Sequence, residues 1–384
     1  MSLKCPYFAE CGGCNKLNIS YEEEIKEKEL YIKKLFQGIN YNKEIEIVKA
    51  DNPHYYRNKV QMAFKLSKTK KVVSGIYEEN SHKIVPVNDC LIQSEVINRV
   101  LKSVNQALSK NKITPFVNGG IIKHVLVRHA LRTGQIMVVL VTPSDFFPGR
   151  ANFVKDLLKL EPEITTIVQN VQSRDTSIVL GTKERVIYGK GFIIDELCGL
   201  KFKLSPRSFF QINPVQTEKL YQIAMDFANL RVGNTVIDAY SGIGTIGMVA
   251  SKSAGKVICV ENNPDAVNDA KFNANFNDIT NVNFYCEDST KFINDLARNK
   301  IKVDCVLLDP PRTGTTYHFI NALSKMGVKR VVYVSCGPET LIRDLKIFKD
   351  MGYEIKAVKC VDMFPRTDHV ESVCLLSLKD INNK

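Results

Sequence analysis

The chain has no stretch approaching about 20 consecutive apolar residues, which excludes a membrane-spanning helix. It carries no internal repeat, no low-complexity segment and no apolar run near its start that could direct secretion. The cytoplasm is the compartment this predicts. The 11 cysteines are odd in number, which argues against a disulfide framework. Most of the late ones stand inside apolar runs such as Ile258-Cys259-Val260 and Val373-Cys374-Leu375, as small buried hydrophobes. Acidic residues are in deficit, 41 Asp and Glu against 53 Lys and Arg. The imbalance is local: residues 51–150 hold 15 basic and 6 acidic side chains, against 24 and 20 over residues 201–384. Such a basic block points to a polyanionic partner, nucleic acid first, with charge kept for solubility as the competing reading.

What is present suits two or three globular domains: 384 residues, 44% hydrophobic and 24% charged. Residues 1–20 are rich in Cys and Gly, cannot pack a core alone, and need a staple. Residues 21–36 read as a helix, with Ser20 as its cap, Glu22, Glu23 and Glu24 in its first turn, and Ile25, Leu30, Ile32 and Leu35 as an apolar stripe. From about 43 to 190 the pattern is one of short strands, at 46–48, 59–66, 72–77, 125–129, 135–141, 165–170 and 176–180. Helical stretches near 93–108 and 151–160 make this a β-rich α+β domain. From about 200 the rhythm becomes strand, glycine turn, helix, with strands at 235–239, 256–260, 282–286, 304–308, 330–335, 355–361 and 371–378. That order predicts a doubly wound α/β sheet with a ligand at the carboxyl ends of its first strands. The expected units are 1–40, 41–195 and 196–384.

Thr235-Val-Ile-Asp238-Ala-Tyr240-Ser-Gly242-Ile-Gly244-Thr245-Ile-Gly247 is a buried strand running into a glycine turn and a helix. The glycines alone would fit a dinucleotide. Asp238 before them, Glu261 at the end of the next strand and Asp288 after the third would instead repel a pyrophosphate and attract a sulfonium cofactor, S-adenosylmethionine. Asp309-Pro310-Pro311-Arg312 ends the fourth strand, and its prolines hold an acidic side chain at the pocket rim. An aromatic residue in place of Arg312 would favour methylation of an exocyclic amine.

The fifth strand delivers Cys336-Gly337-Pro338 where a helix begins, and a helix N-terminus is expected to stabilise a thiolate there. A thiolate is what C5 of uracil requires. Addition to C6 makes C5 nucleophilic, and a base must then remove the C5 proton before the sulfur can leave. Asp368, His369 and Glu371 are candidates for that base. Glu371, entering an apolar run, is expected to be half-buried with a raised affinity for protons.

Five segments occur together, in order: Ser205-Pro-Arg-Ser-Phe209-Phe-Gln211-Ile-Asn213, the glycine loop, Asp309-Pro-Pro-Arg312, Ser335-Cys336-Gly-Pro and His369-Val-Glu371-Ser. Over its whole length the chain resembles the RNA uracil-C5 methyltransferase family. The resemblance implies a Rossmann-like class I methyltransferase domain behind an N-terminal cluster-binding segment and the β-rich domain. It implies S-adenosylmethionine contacts from Gln211, Tyr240, Gly242, Gly244, Thr245, Glu261, Asp288 and Asp309, and a flipped uracil bordered by Phe209 and Gln211. Cys336 becomes the nucleophile and Glu371 the proton acceptor. An extruded base needs a stacking face, which gives Phe209 a reason of its own. Cys5, Cys11, Cys14 and Cys90 could hold a [4Fe–4S] cluster or Zn²⁺ on spacing alone. The ribosomal-RNA branch of the family is similar in carrying such a cluster, which favours iron–sulfur and 23S ribosomal RNA. Transfer RNA is the alternative substrate, and a non-catalytic cluster-bearing RNA-binding protein the alternative role. Many family members carry an RNA-binding TRAM barrel ahead of the cysteine segment, and the chain is expected either to belong to a shorter branch or to lack such a segment upstream of residue 1. RNA contact is then expected from the 51–150 block, where Tyr55-Tyr56-Arg57-Asn58-Lys59 and Lys123-His124 mix aromatic and basic residues, in a protein acting as a monomer.

Overall fold

Ser20 opens the first helix, α1 (Tyr21–Gln37), by a capping box in which its side chain and Glu23 exchange hydrogen bonds with each other's backbone N–H. The computed structural model describes residues 4–174 and 176–379; the outermost residues of the first and last expected units lie outside that range. After α1 comes β1 (Glu46–Val48). A seven-stranded sheet follows, ordered β4-β3-β2-β5-β6-β7-β8. Its strands are β2 (Lys59–Leu66), β3 (Val72–Tyr77), β4 (Ile84–Pro86), β5 (His124–His129), β6 (Ile136–Thr142), β7 (Ile164–Val171) and β8 (Lys183–Tyr188). Helices α2 (Glu95–Lys110) and α3 (Arg150–Leu160) pack against it through Val100, Leu101, Val104, Phe153 and Leu157. A hairpin, β9 (Ile193–Leu197) and β10 (Leu200–Leu204), leads into the C-terminal unit.

That unit alternates α4 (Pro214–Ala228), β11 (Thr235–Ala239), α5 (Thr245–Ser251), β12 (Lys256–Glu261), α6 (Pro264–Phe276), β13 (Val282–Cys286), α7 (Ser289–Arg298) and β14 (Cys305–Leu308). It continues through α8 (Tyr317–Lys325), β15 (Arg330–Ser335), α9 (Pro338–Asp350), β16 (Tyr353–Val361) and β17 (Glu371–Leu378). The doubly wound sheet the sequence predicts is present, in the order β1-β16-β17-β15-β14-β11-β12-β13, with β17 antiparallel between two neighbours. Among the described residues no helix is long and apolar enough to cross a membrane.

Three features differ from expectation. β1, expected in the central domain, pairs in parallel with β16 and becomes the edge of the C-terminal sheet. Its Ile47 shares a core with Ile25, Ile32 and Phe36 of α1 and with Leu345 and Phe348 of α9, so the division expected at residue 40 does not separate two packed bodies. The strand expected over 176–180 is a loop, and the strand lies further on at β8. The loop is stapled by side chains: Asn170 exchanges two hydrogen bonds with the backbone of Gly181, and Gln172 donates to the Ile178 carbonyl. Ile178 consequently faces solvent. Helix α4 had no counterpart in the sequence reading, although Asn213 caps it and Pro214 begins it.

A buried ionic network ties α1 to the loop between β16 and β17. Lys28 Nζ lies 2.7 Å from both Glu24 Oε1 and Asp362 Oδ1, and all three side chains are buried. The Tyr21 hydroxyl donates to Asp362, and the Arg366 N–H donates to Glu24. Removing one member of a buried ion group leaves its partners uncompensated. Lys28→Met is expected to cost about 3–5 kcal/mol in chemical denaturation; an unchanged unfolding midpoint would show that the network does not hold α1.

Candidate active site

The β11–α5 turn has the backbone a bound cofactor needs. Gly242 and Gly244 have φ of 54° and 82°, and a Cβ on Gly242 would meet nothing, which leaves its backbone open to a ligand. Gly247 is required for a different reason: its Cβ would fall 2.4 Å from Cys259 Sγ and 2.8 Å from Asp238 Oδ2. Asp238 Oδ2 accepts the Gly247 N–H, while its buried Oδ1 has no partner among the described residues. Burial, then the nearby Asp309 and Glu261, push Asp238 to about 8.

Glu261 accepts from the N–H groups of Gly242 and Asn263, which fixes its carboxylate at the turn. Asp288 caps α7 by accepting from Lys291 N, and its charge acts on Tyr240, whose hydroxyl bonds Thr315. Thr245 shares a 2.8 Å hydrogen bond with Tyr221, a fully buried residue of α4 that the sequence reading had not singled out. Asp309 has no hydrogen-bond partner among the described residues, and burial raises it to about 7. A cavity of about 340 Å³ is lined by Phe209, Gly242, Ile243, Glu261, Asn263 and Asp265. An orphaned carboxylate oxygen, an unpartnered carboxylate and an open glycine turn suit a cationic, hydroxyl-bearing ligand, the chemistry of S-adenosylmethionine.

The antiparallel register of β15 and β17 pairs Ser335 with Ser372, so the next step sets Cys336 opposite Glu371. Each acts on its surroundings in accordance with that placement. Burial pushes the Cys336 thiol up to about 11, and the negative charges of Glu371 and Asp309 add to the effect; Arg312 opposes it. This corrects the expectation of a depressed thiol: one helix terminus is outweighed by desolvation and two carboxylates. Glu371 is 2% exposed rather than half-buried, and desolvation followed by Asp309 raises it to about 8. It has no hydrogen-bond partner among the described residues.

The competing candidates for the base are placed differently. Asp368 is exposed and pairs with Lys16 at 3.0 Å, while His369 lines the outer cavity with its proton affinity lowered by burial. That cavity, about 600 Å³, also takes in Cys336, Arg312, Tyr31 and Lys16. Phe209 leaves 63% of its surface open, whereas the backbone carrying it is anchored where Ser208 Oγ donates to Asp269. Gln211 is buried, and its carbonyl accepts from Asn58 of the central domain.

Cys5, Cys11, Cys14 and Cys90 act on one another electrostatically, which places their sulfurs in one neighbourhood against the central sheet. Asn98 holds the Cys90 backbone by two hydrogen bonds. The four do not reach metal-ligand spacing: among the described residues no group of three or more His, Cys, Asp or Glu side chains could hold a metal ion.

A parallel sheet with a glycine turn after its first central strand, acidic side chains around that turn and a closing antiparallel strand defines a class I S-adenosylmethionine-dependent methyltransferase. The family model of the tRNA (uracil-5-)-methyltransferases matches residues 20–379. An uncharacterised RNA methyltransferase of Halalkalibacterium halodurans is 37% identical over 382 residues, covering 98% of this chain and 83% of that protein. One from Oceanobacillus iheyensis is 39% identical over 376 residues, covering 96% and 82%. Among solved structures, the Pyrococcus abyssi tRNA (uracil-54, C5)-methyltransferase in complex with S-adenosyl-L-homocysteine superposes with a TM-score of 0.78 at 25% identity, covering 95% of this chain and 86% of that one. The chain therefore belongs to the tRNA (uracil-5-)-methyltransferase family and is an S-adenosylmethionine-dependent RNA methyltransferase.

The raised carboxylate of Glu371 carries a stability signature. The folded state binds its proton more tightly than the unfolded chain, so stability falls as pH rises from about 4.5 to about 8 and is level above that. Glu371→Gln removes this dependence. The variant's melting temperature should exceed that of the wild type by several degrees at pH 8 and converge with it near pH 4.5. A constant difference across that range would place the raised proton affinity elsewhere.

Proposed function

We propose that the chain methylates C5 of a uridine in RNA, with Cys336 as nucleophile and Glu371 as the base that takes the C5 proton. The observation that carries this reading is the register of β15 and β17, which sets Cys336, just past β15, opposite Glu371, so that the charges of Glu371 and Asp309 act on its thiol. Gln211, Tyr240, Gly242, Gly244, Thr245, Glu261, Asp288 and Asp309 would hold S-adenosylmethionine, which when bound supplies an electrophilic methyl group. Phe209 offers a ring face to an extruded base. Cys336 Sγ forms a bond to C6 of the uracil, and the displaced electron pair makes C5 nucleophilic. A thiol held near 11 is protonated at neutral pH, so as the C–S bond forms its proton passes to the ring oxygen O4, which releases it to solvent when C5 takes the methyl group. Once C5 carries the methyl group, Glu371 in its ionised form, which the Arg312 charge favours, removes the proton from C5. The released pair restores the ring double bond and expels the Cys336 sulfur. Arg312, which acts on both groups, favours the ionised form of each.

For the substrate we infer ribosomal RNA of the 23S type, on the strength of the four-cysteine set. Those thiols would hold a [4Fe–4S] cluster, with Zn²⁺ as the other metal the same donors accept. Ligand geometry requires the segment around Cys5, Cys11 and Cys14 to draw in toward Cys90, and no step of the reaction passes through the metal. The likeness to the Pyrococcus abyssi tRNA enzyme favours transfer RNA as a second reading. Nucleotide-resolution mapping of both RNA classes, with and without the gene, separates the two.

RNA tritiated at uracil C5 should release label only with S-adenosylmethionine present. Cys336→Ala should abolish release, and Glu371→Gln should accumulate a covalent protein–RNA adduct. Release of label by Cys336→Ala would defeat the mechanism. Protein purified without air should be brown, with about four irons per chain; a colourless protein with one zinc would correct the metal, and neither metal would remove the cluster.

A further inference from the structure

The junction between the central sheet and the segment carrying Phe209 holds a group of charges that the chemistry above does not use. β2 and β5 run antiparallel with Lys59 directly opposite Arg128, so the two side chains share one face of the sheet. Like charges in that position repel, and here they do so with little water to screen them. Arg128 is 1% exposed. One of its Nη atoms donates to the Ser208 carbonyl at 2.7 Å, while Nε and the other Nη are buried without a partner among the described residues. Lys59 is half-buried and no acceptor lies within hydrogen-bond distance of its ammonium among the described residues. Burial and the Arg128 charge bring its proton affinity down to about 8.

Neither of the acidic groups that act on Arg128 is free to neutralise the pair. Asp195 accepts from the N–H groups of Leu131, Arg132 and Glu196, and Asp269 is held by Lys203 and by Ser208 Oγ. Two adjacent cations with unmatched donors form an incomplete site, and an anion would complete it. The residue whose carbonyl Arg128 holds, Ser208, immediately precedes Phe209, whose exposed ring is placed to meet the target base. The anion that arrives with a base is the phosphodiester of its own strand.

We propose that Lys59 and Arg128 form a phosphate-binding site for the RNA backbone next to the target nucleotide, with Lys59 meeting the phosphate and Arg128 holding the stacking segment in register with it. This rests on the chain acting on RNA, but not on which base atom is methylated. A bound phosphate would offset the repulsion between the two cations, so part of the binding free energy is the relief of a cost built into the free protein.

The experiment measures binding of a fluorescent uridine octamer by anisotropy, without cofactor, from 50 to 300 mM salt. Lys59→Gln is expected to weaken binding about tenfold at the lowest salt and to lower the slope of log affinity against log salt by about 0.7, the loss of one single-strand phosphate contact. Lys59→Arg should restore both. Lys59→Gln should melt no lower than wild type, since it removes a repulsion, and this separates lost contact from lost fold. Wild-type affinity and slope in Lys59→Gln would overturn the proposal. Failure of the wild type to bind any RNA would overturn the RNA reading first, and the proposal with it.

Discussion

The antiparallel insertion of β17 between β15 and β16 is the constraint on which the site depends. In an all-parallel sheet the carboxyl end of β15 would face the carboxyl end of its neighbour. Reversing β17 brings an amino end there instead, so the first residue of that strand, Glu371, stands against the residue just beyond β15, Cys336. A thiol one residue past β15 and a carboxylate at the start of β17 are thus brought opposite each other by the register of one ladder. The buried network of Lys28, Glu24 and Asp362 secures the loop that leads into β17, and it does so from α1, near the other end of the chain. The N-terminal region is therefore part of the catalytic body, although it lies far from it in sequence.

The price of this placement is electrostatic. Asp238, Asp309 and Glu371 all sit where water is scarce, and each is pushed to a proton affinity near neutrality. Carboxylates in that range can exchange protons at the pH of a cell, which a solvated carboxylate does poorly as an acceptor. The same desolvation raises Cys336, so on the proposed mechanism its reactivity depends on the arriving ring rather than on a standing thiolate. Free thiolates invite oxidation; a thiol that ionises only on attack is shielded from it.

Much of this was legible in the residues themselves. The glycine turn, the Asp309-Pro-Pro-Arg312 rim and the Cys336 and Glu371 segments were readable because each combines a strand-length apolar run with one chemically distinctive side chain. What escaped has physical reasons. β1 is three residues long, and only its parallel partner, more than 300 positions away, decides its sheet. β8 is an edge strand of mostly exposed, charged residues, so it lacks the alternation that marks a half-buried strand, while the more apolar 176–180 segment that mimics one is held as a loop by Asn170 and Gln172. The direction of the Cys336 shift depends on burial first, and then on carboxylates brought up by folding, which no local motif can weigh. The pairing of Lys59 with Arg128 is a matter of register across 69 residues, invisible until β2 and β5 are aligned.

The most direct measurement uses RNA containing 5-fluorouridine, in which fluorine replaces the hydrogen that, on the proposed mechanism, Glu371 removes, so the sulfur cannot depart. Incubation with S-adenosylmethionine, protease digestion and mass spectrometry then locate the trapped nucleotide. The account predicts a methylated fluorouridine bonded to the peptide containing Cys336. A nucleotide on a peptide from elsewhere in the chain, or methylated RNA with no covalent protein partner, would contradict it.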